Sequence, residues 1–298
     1  MTTNDAEKVE CAAGSWPSKI NAELVAEAAP AINFLQSHGN VLYWVESRSW
    51  DHGRNIIMKR GVDGNVRELL PYPFSNKSKV HEYGGSGYTV DGDEVYFVNA
   101  GDQRIYVTSP LRTPEPITSE GSWRFADLSF DPVHSRLIAV CEQFRKGTEP
   151  KTFIATIALD QPDHETAIVG NLVSGADFYA YPLISPDYKK MCWIQWSHPQ
   201  MPWDGTELWL AELNEFGAVA NARPVAGGSN EAIMQPKWSP DGKLFYVSDR
   251  TNWWNIYRFE ESMNFASTCE TLPLISMQAE FAGPLWQLGA SYYDFLDA

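Results

Sequence analysis

The sequence predicts an all-β fold, a β-propeller of four-stranded blades. Three observations predict it: a high aromatic content, short apolar runs punctuated by turn residues, and the return of those runs at a nearly fixed interval. The 298 residues include 12 Trp, 13 Tyr and 14 Phe, side chains that suit a pleated, half-buried surface better than a helix. Runs rich in Val, Ile, Tyr, Phe and Trp are separated by clusters of Gly, Pro, Asp and Asn, which is the grammar of strands and turns.

From the N-terminus, residues 1–35 read as a lead segment and 36–298 as the propeller. Within the lead, NAELVAEAA at 21–29 combines good helix formers with Asn21 as a cap and stops before Pro30, so one short helix is expected there. The repeat follows. VLYWVES begins at 41, VYFVNA at 95, LIAVCE at 137, MCWIQW at 191 and LFYVSD at 244, in steps of 54, 42, 54 and 53 residues. A second series trails each by one hairpin: NIIMKR from 55, RIYVTS from 104, TFIATIAL from 152, ELWLAEL from 207 and NIYRFE from 255. Periods of roughly 40 to 50 residues with several strands per unit mark propeller blades. Five complete blades are expected, and GPLWQLGASYYDF from Gly283 reads as the start of a sixth.

Turn chemistry supports the same units. Ser239-Pro240-Asp241-Gly242 precedes the run at 244, Ser185-Pro186-Asp187 precedes the run at 191, and Asp131-Pro132 and Asp91-Gly92 hold similar places. Pro fixes φ, Asp bonds to nearby backbone and Gly tolerates positive φ, so these acids read as turn residues rather than calcium ligands. Trp253 and Trp254 are adjacent; in an extended segment they point to opposite sides, and one is expected to pack inside.

A formal charge of -15 repels phosphate, which disfavours nucleic acid and anionic membrane surfaces as partners. Cysteines 11, 141, 192 and 269 are widely spaced, without zinc spacing or a disulfide framework, and read as free thiols. The first residues, MTTNDAEKVE, are polar and acidic, unlike a signal peptide, and no apolar stretch reaches the ~18 residues of a membrane helix. A cytoplasmic location is the expectation. The triplet Asn76-Lys77-Ser78 matches a glycosylation sequon by spacing alone.

Several segments carry a resemblance to a known family. Gln235-Pro236-Lys237-Trp238-Ser239-Pro240-Asp241-Gly242, continued by Phe245-Tyr246-Val247-Ser248-Asp249-Arg250 and Thr251-Asn252-Trp253-Trp254-Asn255-Ile256-Tyr257-Arg258, resembles the propeller of prolyl oligopeptidase-family serine peptidases of the dipeptidyl aminopeptidase and acylaminoacyl-peptidase type. Ser15-Trp16-Pro17-Ser18, Tyr43-Trp44-Val45-Glu46-Ser47-Arg48, Val80-His81-Glu82-Tyr83-Gly84-Gly85 and the stretch from His198 to Trp209 agree in order. The resemblance spans residues 15 to about 293. It implies a propeller, incomplete relative to the family, that precedes an α/β-hydrolase domain with a Ser, Asp and His triad and restricts which peptides reach it.

No catalytic residue, metal ligand or cofactor is expected within the chain. A hydrolase nucleophile needs G-x-S-x-G on a strand-to-helix turn; the nearest approach, Gly84-Gly85-Ser86-Gly87-Tyr88, lacks the last glycine and lies in strand context. The six histidines show no H-E-x-x-H pairing. Glu260-Glu261 reads as a solvated turn, and Arg250 as a partner of Asp249 or of a neighbouring blade. The substrate-binding candidates are Glu82 and Tyr83, an acid and an aromatic beside close-packing glycines, and Trp196, His198, Trp203 and Asp204, where a Pro-rich loop interrupts a blade. The expected partners are peptides and a hydrolase domain, with self-association through open blade edges. A stand-alone protein- or peptide-binding propeller is the alternative reading, and a metal-dependent enzyme with its site at the propeller centre is a third.

Overall fold

The computed structural model describes residues 10–26, 29–160, 167–260 and 270–296. It contains five four-stranded antiparallel sheets, each with its strands in sequence order. Blade 1 comprises β1 (Ala31–His38), β2 (Val41–Arg48), β3 (Arg54–Arg60) and β4 (Val66–Glu68). Blade 2 comprises β5 (Tyr88–Asp91), β6 (Glu94–Val98), β7 (Ile105–Ser109) and β8 (Arg112–Pro116). In blade 3 these are β9 (Trp123–Asp131), β10 (Arg136–Gln143), β11 (Lys151–Ala158) and β12 (Val169–Val173). Blade 4 holds β13 (Phe178–Ile184), β14 (Lys190–Trp196), β15 (Glu207–Leu213) and β16 (Val219–Gly227). Blade 5 holds β17 (Ile233–Trp238), β18 (Leu244–Ser248), β19 (Asn255–Glu260) and β20 (Glu270–Pro273). The two series of runs read from the sequence are the second and third strands of these sheets. They are also the most apolar, because both of their faces are covered by neighbouring blades.

The described part of the expected helix is α1 (Ala22–Ala26), opened by the Asn21 side chain, which accepts the Leu24 N–H at 2.7 Å. β1 begins at Ala31 and pairs with β2, so residues ahead of 36 belong to the first sheet.

The first strand of each blade lies toward the ring centre: β5 packs on β9, β9 on β13 and β13 on β17. Four of these strands carry a bulge, and in each a non-glycine residue adopts positive φ: Phe34 at 52°, Asp127 at 55°, Tyr181 at 52° and Gln235 at 43°. Such bulges re-aim side chains and free backbone groups from the ladder. Here the freed groups meet their neighbours: Asp127 donates its N–H to the Ser86 carbonyl at 2.7 Å, and Tyr181 donates its own to the Asp127 carboxylate at 2.7 Å.

Apolar side chains between successive blades form three clusters. One joins blades 1 and 2 around Tyr43, Ile57 and Phe97; one joins blades 2 and 3 around Ile105, Phe125 and Leu137; the largest runs from blade 3 through blade 5 around Trp193 and Tyr246. The segment after Glu280 differs from the sequence expectation of a sixth blade. It forms no strand among the described residues and lies across the inner strands. Leu288 exchanges backbone hydrogen bonds with Ser86 and Gly84, Tyr181 donates its hydroxyl to the Ala290 carbonyl at 2.7 Å, and the Gln235 amide pairs with Tyr292 N–H and Tyr293 C=O. Its backbone is satisfied by the bulged strands instead of by a hairpin partner, while Leu285 and Leu288 join the largest cluster.

The turn acids do turn work. Asp241 and Asp187 accept from Ser239 and Ser185, and Asp131 holds His134 and Arg136 at 2.8 Å each. Asn76 is 3% exposed, which closes the sequon to a glycan. Trp254 packs against the core while Trp253 stays 36% exposed. Arg250 pairs with Glu231 at 2.8 Å, not with Asp249. Glu260 pairs with Arg258, and Glu261 and Cys269 lie outside the described residues.

Candidate functional site

The second strands of blades 3 and 4 bring Glu142, one residue before the end of β10, and Trp196, the last of β14, to one side of the ring. Each is the sixth residue of its run, LIAVCE and MCWIQW, so the repeat places them at equivalent positions on adjacent blades. The loop 77–87 from blade 1 to blade 2 lies against them. Its His81 and Glu82 adopt positive φ, 53° and 63°, and Gly84 does so at 72°. A Cβ on Gly84 would stand 2.3 Å from the Ser78 carbonyl oxygen, and one on Gly85 2.5 Å from that of Leu288. Both glycines are therefore required by close backbone approach, which fixes the loop between blade 2 and the segment after Glu280.

This packing builds two adjoining cavities that share His81, Phe178 and His198. The smaller, of 210 Å³, is an aromatic box. Phe178 stacks on Trp196 at 5.4 Å, His198 and His81 meet the Phe178 ring edge-on at 5.1 Å, Trp203 lies 4.5 Å from Trp286, and Tyr83 lies 5.9 Å from Trp286. The larger, of 820 Å³, is lined by Glu82, Glu142, Glu149 and Asp177 together with Lys151.

Charge in the larger cavity is incompletely paired. Arg124 donates to Glu82 at 2.5 Å and to the Lys79 carbonyl at 2.9 Å, and its guanidinium covers the Phe144 ring at 4.3 Å. Glu142 is 5% exposed, and its Oε2 has no hydrogen-bond partner. Arg124 stands 3.8 Å away and His81 Nε2 3.9 Å; that imidazole nitrogen is also buried without a partner. Burial pushes the His81 imidazole down to about 4, so it is neutral at pH 7, and pushes the Glu142 carboxyl above its ordinary value.

Of the residues named from sequence, Glu82, Tyr83, Trp196, His198 and Trp203 come together here. Asp204 lines neither cavity; its carboxylate accepts the Met201 N–H at 3.2 Å and shapes the Pro-rich loop. Sequence reasoning missed Glu142, His81, Phe178 and Trp286. The signal for Glu142 was present, since aligning the repeats sets it in the column of Trp196. Ser86 is 6% exposed and lies against Gly289 in the loop 77–87 ahead of β5, where the sequence predicts a strand. Among the described residues no group of three or more His, Cys, Asp or Glu side chains is placed to hold a metal ion.

A puromycin-hydrolysing peptidase of Mycobacterium tuberculosis superposes with a TM-score of 0.83 at 35% sequence identity, over 95% of this chain and 44% of that one. The chain resembles the propeller part of prolyl oligopeptidase-family enzymes. A second structure, of puromycin hydrolase, gives a TM-score of 0.82 at 32% identity, over 92% of this propeller and 43% of that chain. A prolyl endopeptidase structure at 12% identity and a TM-score of 0.54 shares the fold. This propeller thus spans less than half the length of the two puromycin-cleaving relatives. No protein-family model matches the sequence, and no curated protein matches it.

Proposed function

We propose that the propeller gates and orients peptide or aminoacyl-amide substrates for an α/β-hydrolase domain of a prolyl oligopeptidase-type serine peptidase. The observation that carries this reading is the likeness over 95% of the chain to a peptidase more than twice as long. The aromatic and acidic cleft supports it, because it sets ring faces beside carboxylates that a peptide-like substrate can meet. Aminoacyl amides of the puromycin type are the substrate class to try first, since two similar structures are of proteins that hydrolyse puromycin.

In the enzyme that carries this propeller, Trp196→Ala is expected to raise KM for an aminoacyl amide by about tenfold, as loss of binding surface does. The isolated 298-residue chain is expected to show no turnover. Hydrolysis by the isolated chain that Ser86→Ala abolishes, or an unchanged KM in the Trp196 variant, overturns the reading.

A further inference from the structure

We propose that residues 284–294 form a pH-sensitive latch, which closes across the inner strands while Asp127 is neutral and opens when Asp127 is ionised. This goes beyond the proposed function and does not rest on it.

The geometry places Asp127 where the latch crosses the ring. At the bulge of β9 its φ of 55° takes the residue out of the ladder. Its Oδ2 accepts the Tyr181 N–H at 2.7 Å, and its Oδ1 would stand 3.1 Å from a Cβ on Gly289. Tyr181 ties the same place to the latch a second time, because its hydroxyl donates to the Ala290 carbonyl at 2.7 Å. Ser86 fills the remaining side: it donates its N–H to Leu288 and accepts the Asp127 N–H. Blade 4, the loop into blade 2 and the latch therefore converge on one carboxyl. Their loss of solvent pushes it up from 3.8 to about 6.

No cation among the described residues offsets that loss. Asp127 lines a 580 Å³ cavity between the inner strands, which gives a proton a route to it. The titratable groups sharing this cavity are His38 and Asp91 of blades 1 and 2, Tyr181 and Tyr188 of blade 4, and Lys237 of blade 5. His38 accepts the Gly92 N–H, and Lys237 pairs with Asp294 at 2.6 Å. Burial holds the Tyr181 phenol well above its ordinary range, so it stays neutral. On β9 itself, Arg124 is held by Glu82, and Asp131 by His134 and Arg136. At the other end of the latch, His81 and His198 line the aromatic box beside Leu285 and Trp286.

An open latch returns the Asp127 carboxyl to water. Closure is then favoured in full below 3.8, and that advantage is lost as pH rises to about 6. The two values allow opening to increase up to about a hundredfold, of which about tenfold falls between pH 5 and 7. Opening also draws Trp286 away from Trp203 and Tyr83, so a proton at the ring centre sets one wall of the aromatic box.

The test is hydrogen exchange by mass spectrometry on the whole chain from pH 5 to 7, following peptides that cover 284–294. Rates are divided by the unstructured rate at each pH. Protection of the latch is expected to fall about tenfold in the wild-type protein relative to Asp127→Asn, whose neutral amide keeps the latch closed throughout. Tyr181→Phe should lower protection at every pH and keep the wild-type slope. His81→Gln, which removes a nearby group titrating with the opposite sign, should keep the fall or steepen it. A constant ratio between wild type and Asp127→Asn overturns the proposal. If Asp127→Asn does not fold, a flat profile in His81→Gln overturns it equally.

Discussion

His81 and Asp127 are half-buried ionisable side chains whose desolvation acts on stability with opposite signs. The His81 imidazole falls from 6.5 to about 4 on folding. Between those values the unfolded chain holds a proton that the folded chain does not, so stability falls as pH is lowered through the window. The Asp127 carboxyl rises from 3.8 to about 6. There the folded state holds the extra proton, and stability falls as pH is raised through the window. Each is worth up to about 3 kcal/mol, and the rise at Glu142 carries the same sign as that at Asp127. The windows overlap, so the wild-type protein is expected to show a shallow dependence between them. The single variants should separate the slopes: urea unfolding of Asp127→Asn at stepped pH should reveal acid lability, and His81→Gln should lose stability as pH rises toward 6. Parallel profiles for wild type and both variants would contradict this account.

At the scale of strands and loops, the middle strands hold the core and the connecting loops hold the site. Trp193 in β14 is 1% exposed, stacks on Trp209 at 6.0 Å and gives its indole N–H to Gln195. Its replacement by Ala is expected to cost about 3–5 kcal/mol in chemical denaturation, the range for a large core deletion. Gly84→Ala should act on a loop, forcing left-handed backbone and a clash with the Ser78 carbonyl. It should cost about 1–3 kcal/mol from backbone strain alone. These elements differ in how clearly they read from sequence. The middle strands were legible because both faces are buried and their side chains are uniformly apolar. The inner strands were not, because bulges at Phe34, Asp127, Tyr181 and Gln235 break the alternation and substitute polar contacts for it. Tyr83, Trp196 and Trp203 could be picked out as large aromatics beside Gly or Pro. Glu142 read as the tail of an apolar strand, since only the packing of the 77–87 loop onto blade 3 makes its burial and missing partner visible.

Across the whole molecule, the segment after Glu280 links parts that the sheet topology leaves separate. No strand of blade 5 pairs with one of blade 1 among the described residues, yet residues 284–294 touch the inner strands of blades 3, 4 and 5 and the loop into blade 2. Gly289 makes the crossing feasible: its Cα faces Ser86 and the Asp127 carboxylate so closely that a Cβ would stand 2.4 Å from the Ser86 Cβ. The same segment supplies Trp286, the partner of both Trp203 and Tyr83 in the aromatic box. Stability and ligand affinity are therefore coupled through it. Ending the chain after Glu280 should expose Tyr181 and Gln235, remove the burial of Leu285 and Leu288 at about 1.5–3 kcal/mol each, and lower the thermal midpoint. It should also weaken aminoacyl-amide binding more than Trp203→Leu does, because two of the rings lose their partner at once. A shortened chain that melts at the wild-type temperature would show that the five blades hold the ring without this segment. Intact aminoacyl-amide affinity would place the substrate away from Trp286.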